Sequence, residues 1–251
     1  LDYVNNKNMS EGYVVFVNNN KLYIDLLDVL IESILLFSNK KIEVFSINFD
    51  YHHSSPRVIN KKILIKNECF ATICYSKLYS SFNSEFDYGI QLDSDFIITD
   101  KMDNLFDDCK KINLTPLGSL HPTDPGNQQD IMDFFDVKVK TQPYVHATYL
   151  FSNSCKLFLE ECYKQSQILF SKNITPANYD ETILNVMLWK EKSNTWVDTY
   201  DPYYEFFIDR DNLKIKDYNW MDNVNFYSCH GIKDSLYAKQ ILEKIKCKII
   251  Q

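Results

Sequence analysis

Apolar and polar positions alternate between two rhythms along the first hundred residues. Tyr13-Val-Val-Phe-Val17 is a short continuous apolar run, the mark of a strand buried on both faces. Leu22, Leu26, Leu27, Leu30, Ile34 and Leu35 then recur at helical spacing. Ile42 to Ile47 reads as a second strand and Lys62 to Ile65 as a third. Cys69 to Phe82 reads as a helix with polar breaks, and Tyr88 to Leu92 as a fourth strand. This β-α-β-β-α-β rhythm predicts an α/β sheet with helical cover.

The second half is less regular. His121-Pro-Thr-Asp-Pro-Gly-Asn127 is the clearest loop, with two prolines and a glycine. Pro143 precedes an apolar run from Tyr144 to Phe151. Helices are predicted over Cys155–Phe170 and Tyr179–Trp189, and a basic amphipathic helix over Ser235–Ile245. Short strands are predicted at Thr195–Tyr200, Phe206–Ile208 and Asn225–Cys229. No repeat, low-complexity tract or linker divides the chain, so one domain over 1–251 is expected. Within it, the regular first part covers about 12–100 and the less regular second part about 101–251.

Composition narrows the chemistry. Gly is scarce, at 5 residues, so no Gly-rich phosphate loop is available and a bound nucleotide would need side chains or a metal at its phosphates. The formal net charge of -7 disfavours nucleic acid as a partner, because that affinity comes from Lys and Arg on phosphates. The 7 cysteines include no Cys-x-x-Cys pair and read as reduced, mostly buried thiols. No segment has the length and apolarity of a membrane span. No leader pattern is visible, and a cytoplasmic location is the expectation, with the chain open to being part of a longer protein. Nothing in the pattern sets the oligomeric state.

The most informative segment is Tyr88-Gly-Ile-Gln-Leu-Asp-Ser-Asp-Phe-Ile-Ile-Thr99. A strand ends there in two carboxylates, Asp93 and Asp95. Strand ends are where open α/β sheets place ligands, and hard oxygens suit Mn²⁺ or Mg²⁺ carrying a diphosphate. The competing reading is a solvated acidic turn. His230, after a strand and before Gly231, could be a third ligand, and Lys233 could stand beside a leaving diphosphate. A turn histidine and a helix-flanking lysine are the ordinary alternative. Asp180 and Glu181 open an apolar helix, with Asn178 and Glu181 spaced as a capping box. One of the two acids could instead serve a cleft as a base or charge stabiliser. His121 and Asp124 lie in the Pro-rich loop, where ordinary exposed polar residues are expected.

Together, Leu92-Asp-Ser-Asp95, Asp180-Glu181-x-x-Leu184-Asn185 and His230-Gly-x-Lys233 resemble the GT-A glycosyltransferases, most of all those of family 8. The resemblance runs from Val14 to about Lys233. It implies a GT-A (Rossmann-like) fold with a mixed central sheet flanked by helices. It implies a UDP-sugar donor and a glycan, protein or small-molecule acceptor. It further implies Mn²⁺ (or Mg²⁺) on Asp93, Asp95 and His230, and Lys233 on the diphosphate. Phe16, Val17 and Asn18 would hold the base, with Lys77, Asp93 and Ser94 also on the donor. Asp180 and Glu181 would be the catalytic pair.

The chain departs from the family pattern in three places. Asp180-Glu181-Thr182 stands where Asp-Gln-Asp is usual, His146-Ala-Thr148 where Asn-Ala-Gly is usual, and Asp234-Ser235 where Pro-Trp is common. Glu181 is a stronger base than Gln and favours an inverting displacement, with a retaining outcome open. The rival readings are a non-catalytic sugar-binding module of the same fold and an Asp-x-Asp phosphohydrolase. The latter would want Thr where Ile97 stands.

Overall fold

The computed structural model describes residues 9–120, 128–192, 204–205, 226–228 and 234–249. The chain opens with β1 (Glu11–Asn18), α1 (Lys21–Phe37), β2 (Lys41–Ile47), β3 (Val58–Ile63), α2 (Phe70–Phe82) and β4 (Tyr88–Leu92), in the order its rhythm predicts. Next come β5 (Phe96–Ile98), α3 (Phe106–Cys109), β6 (Leu117–Leu120), α4 (Gln129–Phe134) and β7 (Val145–Ser152). The described elements end with α5 (Lys156–Ser171), α6 (Tyr179–Lys190), β8 (Tyr204–Glu205), β9 (Phe226–Ser228) and α7 (Ser235–Ile249).

Six strands form a mixed open sheet in the order β3-β2-β1-β4-β7-β6. The first four are parallel; β7 runs antiparallel to both β4 and β6. Helices flank the sheet, an α/β arrangement compatible with a Rossmann-like fold. The apolar runs of β1 and β2 are buried on both faces, as parallel strands under helical cover must be. The chain steps outward from β1 to β3, then returns past β1 to β4. Right-handed crossovers in opposite directions put α1 and α2 on opposite faces. The packing agrees: α1 lies with α7 and β5, while α2 lies with α5 and α6. A smaller sheet, β5-β9-β8, extends from the stretch after β4.

The main core is built on Tyr13, Val15, Val44, Ile90, Leu92 and Tyr149, with Leu184 and Trp189 of α6. A second cluster joins Leu26 and Val29 of α1 to Ile97, Tyr237, Ala238, Ile241 and Leu242. Gly89 on β4 pairs with Phe151 on β7. A Cβ on Gly89 would lie 2.0 Å from the Phe151 ring, so glycine is what lets that ring lie across the sheet.

The third strand differs from expectation. It covers Val58–Ile63, not Lys62–Ile65, because its register is set by pairing with β2 from Ile42↔Val58 to Ile47↔Ile63. It is a sheet edge, where polar residues are tolerated on a strand; Leu64 beyond it is 78% exposed. The thiols are not all buried: among the described residues Cys69 is exposed and Cys74 half-buried, whereas Cys109, Cys155 and Cys162 are inside. Among the described residues no helix is long and apolar enough to cross a membrane. The strands predicted at 195–200 and 206–208 lie outside the described residues.

Candidate active site at the carboxyl ends of β1 and β4

The direction of strand order reverses between β1 and β4, and in open α/β sheets the crevice outside such a reversal takes the ligand. Asp93, Ser94 and Asp95 leave β4 there. Val15 pairs with Leu92, so Phe16, Val17 and Asn18 continue β1 alongside the acidic turn. Val17 is buried, so a ligand at that point would meet its backbone; Phe16 and Asn18 are half-buried. Ser94 and Asp95 are both buried.

Strand period two puts Gln91 and Asp93 on one face of the sheet. Gln91 Oε1 accepts from Ser80 Oγ at 3.1 Å and Ser81 Oγ at 2.7 Å on α2. Lys77 lies one helical turn earlier on that face of α2. Its Nζ meets Asp93 Oδ1 at 2.7 Å. The same ammonium is 3.5 Å from Asp180 Oδ2 on α6 and 6.0 Å from the centre of the Phe16 ring. Lys77 therefore ties together the ends of β1, β4 and α6.

Lys77 and Asp180 are buried and Asp93 is half-buried. Burial alone would lower the Lys77 pKa, but the carboxylates of Asp180 and Asp93, with the Asp93 hydrogen bond, outweigh it and hold Lys77 well above the usual lysine range. Burial pushes the Asp180 carboxyl up to about 7, against the pull of Lys77 and with the push of Asp93 and Glu181. Lys77 is closer to Asp93 than to Asp180, and its pull on Asp180 does not overcome the effect of burial. Asp180 Oδ2 has no hydrogen-bond partner among the described residues.

Asp180 and Glu181 sit in the first turn of α6, as predicted, but the capping box does not form. Tyr179 has φ of 40°, in the left-handed region, and the Asn178 side chain makes no cap bond to the backbone. Asn178 Nδ2 instead donates to Glu181 Oε1 at 3.1 Å. His146 Nε2 lies 3.8 Å from Glu181 Oε2. Tyr144 OH approaches Thr182 Oγ1 at 3.3 Å, and burial together with the Glu181 charge raises the Tyr144 pKa, keeping it a donor. Asn185 locks α6 to β7: its Oδ1 accepts from Val145 N at 2.8 Å, and its Nδ2 donates to Val145 O at 2.7 Å and Glu181 O at 2.9 Å.

Asp93, Lys77 and Asp180 thus converge, with Glu181 adjoining; Asp95 is buried two residues beyond Asp93. The structure adds His146 and Tyr144, which the sequence candidates lacked, and gives Asn185, so far only the end of a motif, its part in joining α6 to β7. The one signal for His146 was its place in the segment aligned with Asn-Ala-Gly. His230 and Lys233 lie outside the described residues, as do His121 and Asp124. Among the described residues no cluster of three or more His, Cys, Asp or Glu could hold a metal; two carboxylates, Asp93 and Asp95, are what this part of the chain offers. In comparisons with known proteins, no family model matches the chain and no curated protein matches it.

Proposed function

We propose that the chain is a glycosyltransferase of the GT-A type. It would move a sugar from a nucleotide-diphosphate donor, a UDP-sugar first, to a hydroxyl acceptor. The observation that carries this reading is the buried Lys77 held between Asp93, at the end of β4, and Asp180, at the start of α6. Buried, perturbed titratable groups at the ligand-binding edge of a sheet are expensive to maintain and mark functional sites.

The donor chemistry of Asp93 and Asp95 fits a hard divalent cation, Mn²⁺ or Mg²⁺, whose shell phosphate and water complete. His230 is the third ligand of the proposal. When bound, the cation would supply positive charge for the departing diphosphate. The chain's own residues do the rest. Phe16 and Asn18 line the base side. Lys77 fixes Asp93 and spreads positive charge through the crevice. Asp180 Oδ2, lacking a hydrogen-bond partner, accepts from a sugar hydroxyl. Glu181 takes the proton of the acceptor, and Lys233 adds charge at the leaving group.

The test is nucleoside diphosphate release from a panel of UDP- and GDP-sugars with Mn²⁺, for the unsubstituted protein and Asp95→Ala. The reading expects release from one donor, dependent on metal and lost in the variant while the fold persists. Undiminished release by a folded Asp95→Ala protein sinks it.

A further inference from the structure

We propose that His146 is the positioning residue of the transfer step: a fixed Nε2–H donor that orients the Glu181 carboxylate to receive the acceptor's proton. The inference rests on the glycosyltransferase reading and deepens it. It begins with the Thr148 backbone N–H, which donates to His146 Nδ1 at 3.1 Å. A nitrogen that accepts cannot carry the proton, so in the neutral imidazole the proton is on Nε2. That Nε2 is the atom turned toward Glu181 Oε2, at 3.8 Å.

The opposite oxygen of Glu181 accepts from Asn178 Nδ2. The Tyr144 hydroxyl also hydrogen-bonds Glu181, so the carboxylate is held by Asn178 and Tyr144 and faced by the His146 Nε2–H as a further donor. Neither partner is on a loose element. Asn185 pins the backbone of Val145, next to His146, to that of Glu181 itself. Both side chains are about nine-tenths buried, with 12% and 10% exposure. A separation of 3.8 Å is longer than a hydrogen bond. Catalytic hydrogen bonds are commonly long without substrate and tighten when it arrives.

This geometry divides the roles. Neutral His146 cannot be the base, because its one unprotonated nitrogen already accepts from Thr148 N–H. Glu181 can. The acceptor O–H gives its proton to Glu181, and the oxygen's freed electron pair forms the bond to the anomeric carbon. The bond from that carbon to the diphosphate oxygen breaks, and its electron pair leaves with the nucleoside diphosphate. His146 touches the base rather than the reacting atoms, and its Nε2–H keeps one carboxylate oxygen directed while the proton moves.

The experiment uses water as the acceptor: hydrolysis of the active UDP-sugar with Mn²⁺ by the unsubstituted protein, His146→Ala, His146→Asn and His146→Gln. The Gln side chain places its amide near the imidazole Nε2 position; Asn places it nearer Nδ1. His146→Ala and His146→Asn should lower kcat by about tenfold to a hundredfold with donor KM little changed, and His146→Gln should recover to within about threefold. Ring ¹⁵N NMR of the unsubstituted protein should show His146 protonated on Nε2. Three results would overturn the proposal: a His146→Ala enzyme as fast as the parent, a folded His146→Gln enzyme as slow as His146→Ala, or a neutral ring protonated on Nδ1. A parent protein that hydrolyses no sugar nucleotide would overturn the functional reading and this role with it.

Discussion

Lys77 reaches from α2 to place its ammonium 2.7 Å from Asp93 Oδ1, the first residue after β4. The contact links a helix on one face of the sheet to the turn that carries the proposed metal ligands. Because Asp180 is 3.5 Å from the same ammonium, removing the cation strands two acids rather than one. Deleting one member of a buried ion group costs about 3 kcal/mol or more. Lys77→Met should therefore lower unfolding free energy by about 3 kcal/mol in urea titrations near pH 8, and by less near pH 5, where Asp180 can take up a proton.

Asp180 gives the metal-free protein a definite pH signature. Its folded pKa is about 7, against an ordinary value of 3.8, because it is buried. Between about pH 4 and 7 the folded state holds a proton that the unfolded chain has released. Stability from this group is greatest below that window, falls as pH rises through it, and is level above it. The slope for one proton is at most about 1.4 kcal/mol per pH unit. Asp180→Asn should flatten the stability curve across this window. Parallel curves for the two proteins would show that Asp180 is not the titrating group.

Asn185 satisfies both backbone groups of Val145 from the middle of α6. Asn185→Ala would leave a buried N–H and a buried C=O unpaired, at about 1–3 kcal/mol each. A loss of roughly 3 kcal/mol is expected by chemical denaturation, with weakened donor turnover because β7 and the start of α6 lose register.

Across β4 and β7, the space above Gly89 is filled by the Phe151 ring. Gly89→Ala should destabilise the protein by about 2 kcal/mol through overpacking. Adding Phe151→Leu should recover part of that loss, a non-additivity that a double-mutant cycle measures.

The legibility of this chain varies with how local each signal is. β4 and its acidic turn are plain in sequence because an apolar run stops at Asp93. The first turn of α6 is also found, yet its bonding is misread: Asn178 and Glu181 have the capping-box spacing, but side chain meets side chain. β3 is obscured because an edge strand can carry Asn60, Lys61 and Lys62, while the more apolar Leu64 beyond it faces solvent. β5 has only three residues and reads as a continuation of the chain after Asp95. The meeting of Lys77 with Asp180 has no local signature at all. The two are far apart in sequence and are joined only when α2 and α6 pack on the same face. Family resemblance marks each residue separately but not their shared charge.

The central claim is a metal-dependent donor site on Asp93 and Asp95, and its most direct test is thermal unfolding with UDP and Mn²⁺, separately and together. At a ligand concentration of about 100 times Kd, specific binding stabilises by about 2.7 kcal/mol. The account predicts a clear rise in Tm when UDP and Mn²⁺ are both present, little with UDP alone, and no joint effect in a folded Asp95→Ala protein. An equal rise in Asp95→Ala, or no rise with UDP and Mn²⁺ in the unsubstituted protein, would contradict it.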